Sequence, residues 1–149
     1  MSAVLDASAL LALWLDEPGA DLVETAVADG AAISTVNLAD VLSVLIRARP
    51  DLAGELAEAA SARDDPRRLE VMGAVGIALP GALTVEPFTL ADALRTAAIF
   101  PASRAHGLSL EDRACLMLGV RLGWPVLTAD HAWGRMGTMV LGVEVHLIR

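Results

Sequence analysis

Short apolar segments alternating with helix-patterned stretches predict an α/β domain built on a mostly parallel sheet. Two observations carry that prediction. Five brief apolar runs, Ala3-Val4-Leu5, Ala31–Ser34, Leu83-Thr84-Val85, Pro125-Val126-Leu127 and Val143–Leu147, are each separated from the next by sequence that reads as helix. The composition, 55% hydrophobic and 20% charged over 149 residues, is that of a globular chain long enough to bury a core.

The elements follow in order. Ala3-Val4-Leu5 opens the chain as a strand, and Ser8–Leu15 is apolar on nearly all sides, as a buried helix would be. Pro18-Gly19 breaks it, and Ala20–Ala28 is a second helix ending at Gly30. After the strand Ala31–Ser34, Thr35 or Asn37 caps a helix running to about Arg47 and closed by Pro50. Asp51 caps the Ala-Glu-rich stretch to Ala62. Ser61–Arg68 is the most polar part of the chain, and the apolar, Gly-containing run Leu69–Leu79 reads as helix. The strand Leu83-Thr84-Val85 ends at Pro87. Leu90–Phe100 is a helix with Thr89 as its cap, and Ser109 opens another that runs to Leu122 and stops at Gly123. Pro125-Val126-Leu127 and Val143–Leu147 complete the sheet. No internal repeat or linker divides the chain, which is expected to be a single domain over residues 1–149.

Composition removes several functions. All 11 basic residues are arginine, so P-loop chemistry, Schiff-base chemistry and any phosphate site built on an ammonium group are excluded. The formal net charge of −8 works against a nucleic-acid binder held by a broad basic surface. Any such partner would be held locally, by a few arginines or through metal ions. No apolar run approaches the ~20 residues that span a bilayer, no secretory signal is visible, and the single Cys115 rules out an internal disulfide framework. These features point to a cytoplasmic protein without a membrane partner.

The chemistry-bearing residues are four aspartates. Asp6 and Asp130 stand just past the carboxyl ends of two predicted strands, and Asp40 and Asp112 lie in the first turns of two predicted helices. In parallel α/β sheets, binding sites collect at the carboxyl ends of strands. A carboxylate beside buried surface is costly unless its charge is compensated. Hard divalent cations take oxygen ligands, and three or four carboxylates in a cleft suit one or two such ions. Capping explains part of this pattern as well. Ser109-Leu-Glu-Asp112 has the capping-box spacing, Asn37-Leu-Ala-Asp40 repeats it, and Asp130 can cap a short helix from His131. Capping gives no account of Asp6, and the two roles are compatible.

The residues around these acids carry a family resemblance. Val-Leu-Asp6-Ala-Ser8-Ala-Leu-Leu-Ala, Asn37-Leu-Ala-Asp40-Val-Leu, Gly107-Leu-Ser-Leu-Glu-Asp112-Arg-Ala-Cys-Leu and Val-Leu-Thr128-Ala-Asp130-His-Ala-Trp133 resemble, in order, the motifs of PIN-domain ribonucleases, and more narrowly the VapC-type toxins of bacterial type II toxin–antitoxin systems. The resemblance covers residues 4 to 133. It implies a three-layer α/β/α sandwich, Mg²⁺- or Mn²⁺-dependent endoribonuclease activity, homodimerisation and inhibition by a cognate antitoxin. The reaction implied is hydrolysis of RNA phosphodiesters by metal-activated water. By position, Asp6, Asp40, Asp112 and Asp130 are the catalytic, metal-binding acids, and Ser8 and Thr128 supply hydroxyls near the metal or its water. The chain departs from the family at Asp40, where the acid is usually the longer glutamate, and in the stretch from about Asp51 to Leu79, which is longer than expected. An added helix there serves a dimer or antitoxin interface, or simply packs.

Arg113 and Arg104 flank the acidic edge and are candidates for RNA phosphate contacts through bidentate guanidinium geometry, with an ion pair to Glu111 as the alternative for Arg113. His131 reads as a solvated residue at a helix start, His106 and His146 as structural, Cys115 as buried and inert, and Trp14, Trp124 and Trp133 as core or rim. Two rivals remain. A haloacid-dehalogenase-type phosphotransferase also begins with a strand ending in Asp, but it needs a second Asp where Ser8 stands and a lysine the chain lacks. A catalytically weak or inactive module that keeps the fold to bind a protein partner is the other, kept open by the shorter acid at Asp40.

Overall fold

The computed structural model describes residues 1–61, 73, 79–133 and 141–149. Five strands form one sheet: β1 (Ala3–Leu5), β2 (Ala31–Ser34), β3 (Leu83–Glu86), β4 (Val126–Thr128) and β5 (Val145–Leu147). Their order is β3-β2-β1-β4-β5, and every neighbouring pair is parallel. Ala3 sits opposite Ala31, Leu5 opposite both Ile33 and Leu127, and Thr128 opposite Leu147. β1, β2 and β4 are buried along their whole length, which is why they read as unbroken apolar runs rather than alternating ones.

Seven helices lie among the described residues: α1 (Ala7–Trp14), α2 (Ala20–Ala28), α3 (Thr35–Ala48), α4 (Leu52–Ser61), α5 (Leu90–Ala98), α6 (Phe100–Arg104) and α7 (Leu110–Leu122). Helices α1 and α2 pack against each other and on the sheet, and α7 packs on β1, β2 and β4 with α5 against it. The result is a three-layer α/β/α sandwich. Residues Ala114–Gly119 of α7 are all buried, and Cys115, Leu116 and Leu118 among them form a core cluster with Val4, Val126, Val143 and Trp133. A Cβ on Gly119 would come within 2.7 Å of Val126 Cγ2 and 2.9 Å of Val143 Cγ2, so the glycine permits the close approach of α7 to the sheet. Gly19, at φ +95°, is the other required glycine: a Cβ there would collide with the Ile148 carbonyl.

The chain resolves into two compact units. Met1–Val41 with Ala82–Arg149 contain the whole sheet, and Leu42–Gly81 contain the end of α3 and α4. In the second unit Leu52 is buried, and Arg49 pairs with Asp51 at 3.0 Å.

Two boundaries differ from expectation. The helix expected over Leu90–Phe100 ends at Ala98, and α6 begins separately with Pro101 in its first turn. Pro101 lacks an N–H and its ring would clash with the Ala97 carbonyl in a continuous helix, so the chain restarts. Asn37 is not a cap: α3 starts at Thr35, the Ser34 hydroxyl accepts the Val36 N–H at 3.1 Å, and Asn37 lies inside the helix. The helix expected over 69–79 falls largely outside the described residues. No helix among those described is long and apolar enough to cross a membrane.

Candidate active site

The sheet reverses direction at β1. From there the chain runs outward through β2 and β3, then returns to lay β4 and β5 on the other side. Between β1 and β4 the connections leave in opposite directions, the arrangement at whose carboxyl edge open α/β sheets place their binding sites. Asp6 directly follows β1, and Ala129-Asp130 directly follow β4.

Asp6 is 5% exposed and accepts three kinds of donor. The Ala9 N–H reaches Oδ1 at 2.7 Å, the Ser8 hydroxyl lies 2.8 Å from both oxygens, and the Thr128 hydroxyl donates to Oδ2 at 2.6 Å. The first contact makes Asp6 the N-cap of α1, with an extended backbone. This corrects the expectation that capping gives no account of Asp6: the acid caps a helix and stands at the carboxyl edge at once. Burial pushes its pKa from 3.8 up to about 6 against the pull of these hydrogen bonds, and the negative charge of Asp112 adds to the rise.

Asp112 lies in the first turn of α7, half-buried, in a capping box with Ser109: its carboxylate accepts the Ser109 N–H at 2.9 Å and its own N–H donates to the Ser109 hydroxyl at 3.1 Å. Burial raises its pKa, and the charges of Asp130 and Glu111 raise it further. Asp130 is exposed, and its Oδ1 accepts the Ala132 N–H at 2.7 Å. Asp6, Asp112 and Asp130 are thus linked in an electrostatic series along one edge. Asp40 is exposed on α3.

A family model, described as "PIN domain", matches residues 3–138. The chain belongs to the PIN-domain family. Members of this family are generally nucleases. Its fold is shared with three solved assemblies of low sequence identity. VapBC2 from Rickettsia felis bound to a promoter DNA fragment is 10% identical at a TM-score of 0.57, covering 99% of this chain and 98% of that one. A toxin–antitoxin complex from Klebsiella pneumoniae is 14% identical at 0.56, with 99% and 98% covered. DNA-bound VapBC from Salmonella typhimurium is 14% identical at 0.58, with 100% and 99% covered. No curated protein matches the sequence.

In this PIN domain the two hydroxyls expected near the acids stitch the edge together. The Ser8 oxygen donates to Asp6 and accepts the Ala129 N–H at 2.8 Å, and the Thr128 oxygen donates to Asp6 and accepts the Asp130 N–H at 2.9 Å. Arg113 lies beside Asp112, with Nη1 donating to the Thr96 carbonyl at 2.9 Å, Nε to the Ser109 carbonyl at 3.3 Å, and its Cζ 5.1 Å from the Phe100 ring centre. Arg104 is exposed in the last turn of α6. Cys115 is fully buried, and burial, with the Asp6 and Asp112 charges behind it, pushes its thiol well above the ordinary range. His131 is exposed and Trp133 wholly buried.

Two features of the PIN domain were not anticipated. Buried Asn37 reaches across from α3, its Nδ2 donating to the Glu111 carbonyl at 3.2 Å in the same turn as Asp112. Asp92, buried at the start of α5, shares Arg121 with Glu86, at 3.6 Å and 3.2 Å respectively. Burial opposes ionisation of Asp92, but the Thr89 backbone and hydroxyl, Arg121 and Arg95 outweigh it and lower its pKa. The Thr89 cap was expected from the sequence; its reciprocal box with Asp92 and the arginine partner 29 positions on were not.

Among the described residues no three His, Cys, Asp or Glu side chains converge closely enough to enclose a metal ion. The donor set nonetheless fits a hard cation. It offers oxygen alone, and a magnesium-type ion takes one or two carboxylates and keeps its remaining sites as water. Burial is the main cause of the upward pKa shifts at Asp6 and Asp112, and repulsion between neighbouring acids adds to them, so a bound cation would favour the ionised forms.

Proposed function

We propose that this chain is a metal-dependent endoribonuclease, the VapC-type toxin of a toxin–antitoxin pair, and that all 149 residues make up its one PIN-like domain. The observation that carries the reading is Asp6: a buried carboxylate with three donors, pushed to about 6, at the switch point of a parallel sheet and coupled to a second acid. Asp6 and Asp112, with Asp130 beside them and Asp40 at longer reach, would hold Mg²⁺ or Mn²⁺. Bound there, the ion supplies Lewis-acid polarisation of an RNA phosphodiester and a more acidic water as nucleophile. Ser8 and Thr128 keep Asp6 in one rotamer, and the Ser109 cap fixes Asp112, so the acids do not reorganise when the ion arrives. Binding a divalent ion also offsets repulsion between an acidic protein and its substrate.

A cognate antitoxin is the proposed protein partner, supported by the shared fold with toxin–antitoxin assemblies, and a homodimer in the cytoplasm is the proposed working form. The deciding experiment is RNA cleavage in Mg²⁺, Mn²⁺ and EDTA by the wild type and Asp6→Ala. Cleavage that needs the metal and disappears in the variant is expected; cleavage unchanged by Asp6→Ala would sink the proposal.

A second reading, a weak or inactive PIN-fold module that binds a protein partner, draws on the exposed position of Asp40 and the open spacing of the acids. Calorimetry with Mn²⁺ separates the two, since an inactive module shows no stoichiometric binding that depends on Asp6.

A further inference from the structure

An exposed aromatic ring stands next to the acidic edge with a cation fixed over it. Phe100 begins α6 and leaves 48% of its surface in solvent. The Arg113 guanidinium lies 5.1 Å from the ring centre, within cation–π range. Its bonds to the Thr96 and Ser109 carbonyls hold it there. Both acceptors are neutral, and among the described residues no carboxylate pairs with Arg113. The ring is therefore set in orientation by a guanidinium that no carboxylate among the described residues pairs with. Arg104, four residues along from Phe100, adds an exposed cation to the partly exposed Arg113.

We propose that Phe100 and Arg113 form a base-stacking subsite for single-stranded RNA, taking a nucleobase of the substrate beside the phosphate that faces Asp112. This rests on the ribonuclease reading above. Unpaired bases stack on aromatic rings and on guanidinium planes, and both surfaces are presented here together. The positive charges of Arg113 and Arg104 complement the flanking phosphates. An apolar protein segment would match the ring and the half-exposed Leu110, but it would bury the guanidinium without a partner, which is costly. Arg113 follows Asp112 directly, so one peptide unit and one side chain separate the ring from the acid. On a chain of net charge −8, stacking supplies locally the hold that a broad basic surface would otherwise provide.

The test is steady-state cleavage of a fluorescein-labelled single-stranded RNA of mixed sequence by the full chain, as wild type, Phe100→Ala and Phe100→Trp. Phe100→Ala is expected to raise KM roughly five- to 150-fold, the range of base–aromatic stacking, with kcat held and with Phe100→Trp restoring KM. A series of RNAs with one abasic position each should then show a single position at which the wild type loses affinity and Phe100→Ala loses none. KM unchanged in Phe100→Ala overturns the subsite and leaves the ribonuclease reading standing. So does a fall in kcat that tryptophan fails to rescue, or weakened binding of the protein inhibitor with RNA KM unchanged. Failure of the wild type to cleave RNA overturns both.

Discussion

The Thr128 hydroxyl donates to Asp6 Oδ2 at 2.6 Å and accepts the Asp130 N–H at 2.9 Å, so one oxygen ties together acids that follow different strands. Thr128→Val keeps the shape and removes both bonds in a fully buried position. Its unfolding free energy in urea is expected to fall by about 1–3 kcal/mol, the cost of buried polar groups left without partners. RNA cleavage should fall with it, because Asp6 and Asp130 lose their common anchor. Thr128→Ser, which keeps the oxygen, should restore most of both.

The raised pKa of Asp6 fixes the sign of a pH effect. Its folded value, about 6, lies above the unfolded value of 3.8, so the folded state holds the proton more tightly. The contribution to stability is full below pH 3.8, declines as pH rises to about 6, and is lost above that. Asp6→Asn removes the ionisation and should raise stability at pH 8 by about 1–3 kcal/mol while flattening the slope between these two values. Denaturation at pH 4, 6 and 8 without divalent metal reads the difference directly. The same variant should not cleave RNA, so its gain in stability would mark a carboxylate kept for function.

Metal binding should reverse that penalty. Mn²⁺ in about hundred-fold excess over its dissociation constant is expected to stabilise the wild type by about 2.7 kcal/mol in thermal unfolding at pH 7.5. Asp6→Asn and Asp112→Asn should lose the effect, whereas Asp40→Asn should weaken it only in part. Asp40→Glu, which extends the exposed acid by one methylene, should strengthen it. Equal loss in Asp40→Asn and Asp6→Asn would show that Asp40 belongs to the centre of the site.

Gly19 offers a control remote from the chemistry. Gly19→Ala places a side chain at φ +95° and against the Ile148 carbonyl. Strain of about 1–3 kcal/mol is expected in equilibrium unfolding. Cleavage per folded molecule should change far less than in Thr128→Val, since this position reaches the acidic edge only through the Ile148 N–H bond to the Thr128 carbonyl at 2.9 Å.

β1, β2 and β4 were legible because strands buried along their whole length read as continuous apolar runs, whereas β3 and β5, largely open to solvent, were legible only as short apolar segments between helices; β1 and β2 occupy the expected residues, and β3, β4 and β5 shift by one or two positions. Asp6 and Asp130 were legible as residues at strand ends, and Asp112 as the partner of Ser109. The capping assignments were less readable. Ser34, Thr35 and Asn37 are all good capping types in a row, and only the folded backbone shows that Ser34 takes the role while Asn37 turns inward to Glu111. Asp is a preferred N-cap type, but with the helix expected from Ser8 the start fell one residue too late for Asp6 to be read as the cap of α1. The break before α6 follows from Pro101, a signal present in the sequence but outweighed by the apolar pattern around it. The sharing of Arg121 between Glu86 and Asp92 arises from tertiary packing that no spacing encodes.

The bridge from Thr128 to Asp6 spans 122 positions of sequence. During synthesis, β1 leaves the ribosome well before β4 and waits for it. Until then Asp6 has neither the Thr128 hydroxyl nor the neighbouring loop of Asp130, and no amino-terminal fragment ending before β4 can assemble the edge. In the nuclease reading proposed above, the chain therefore gains its acidic edge only once β4 has been made.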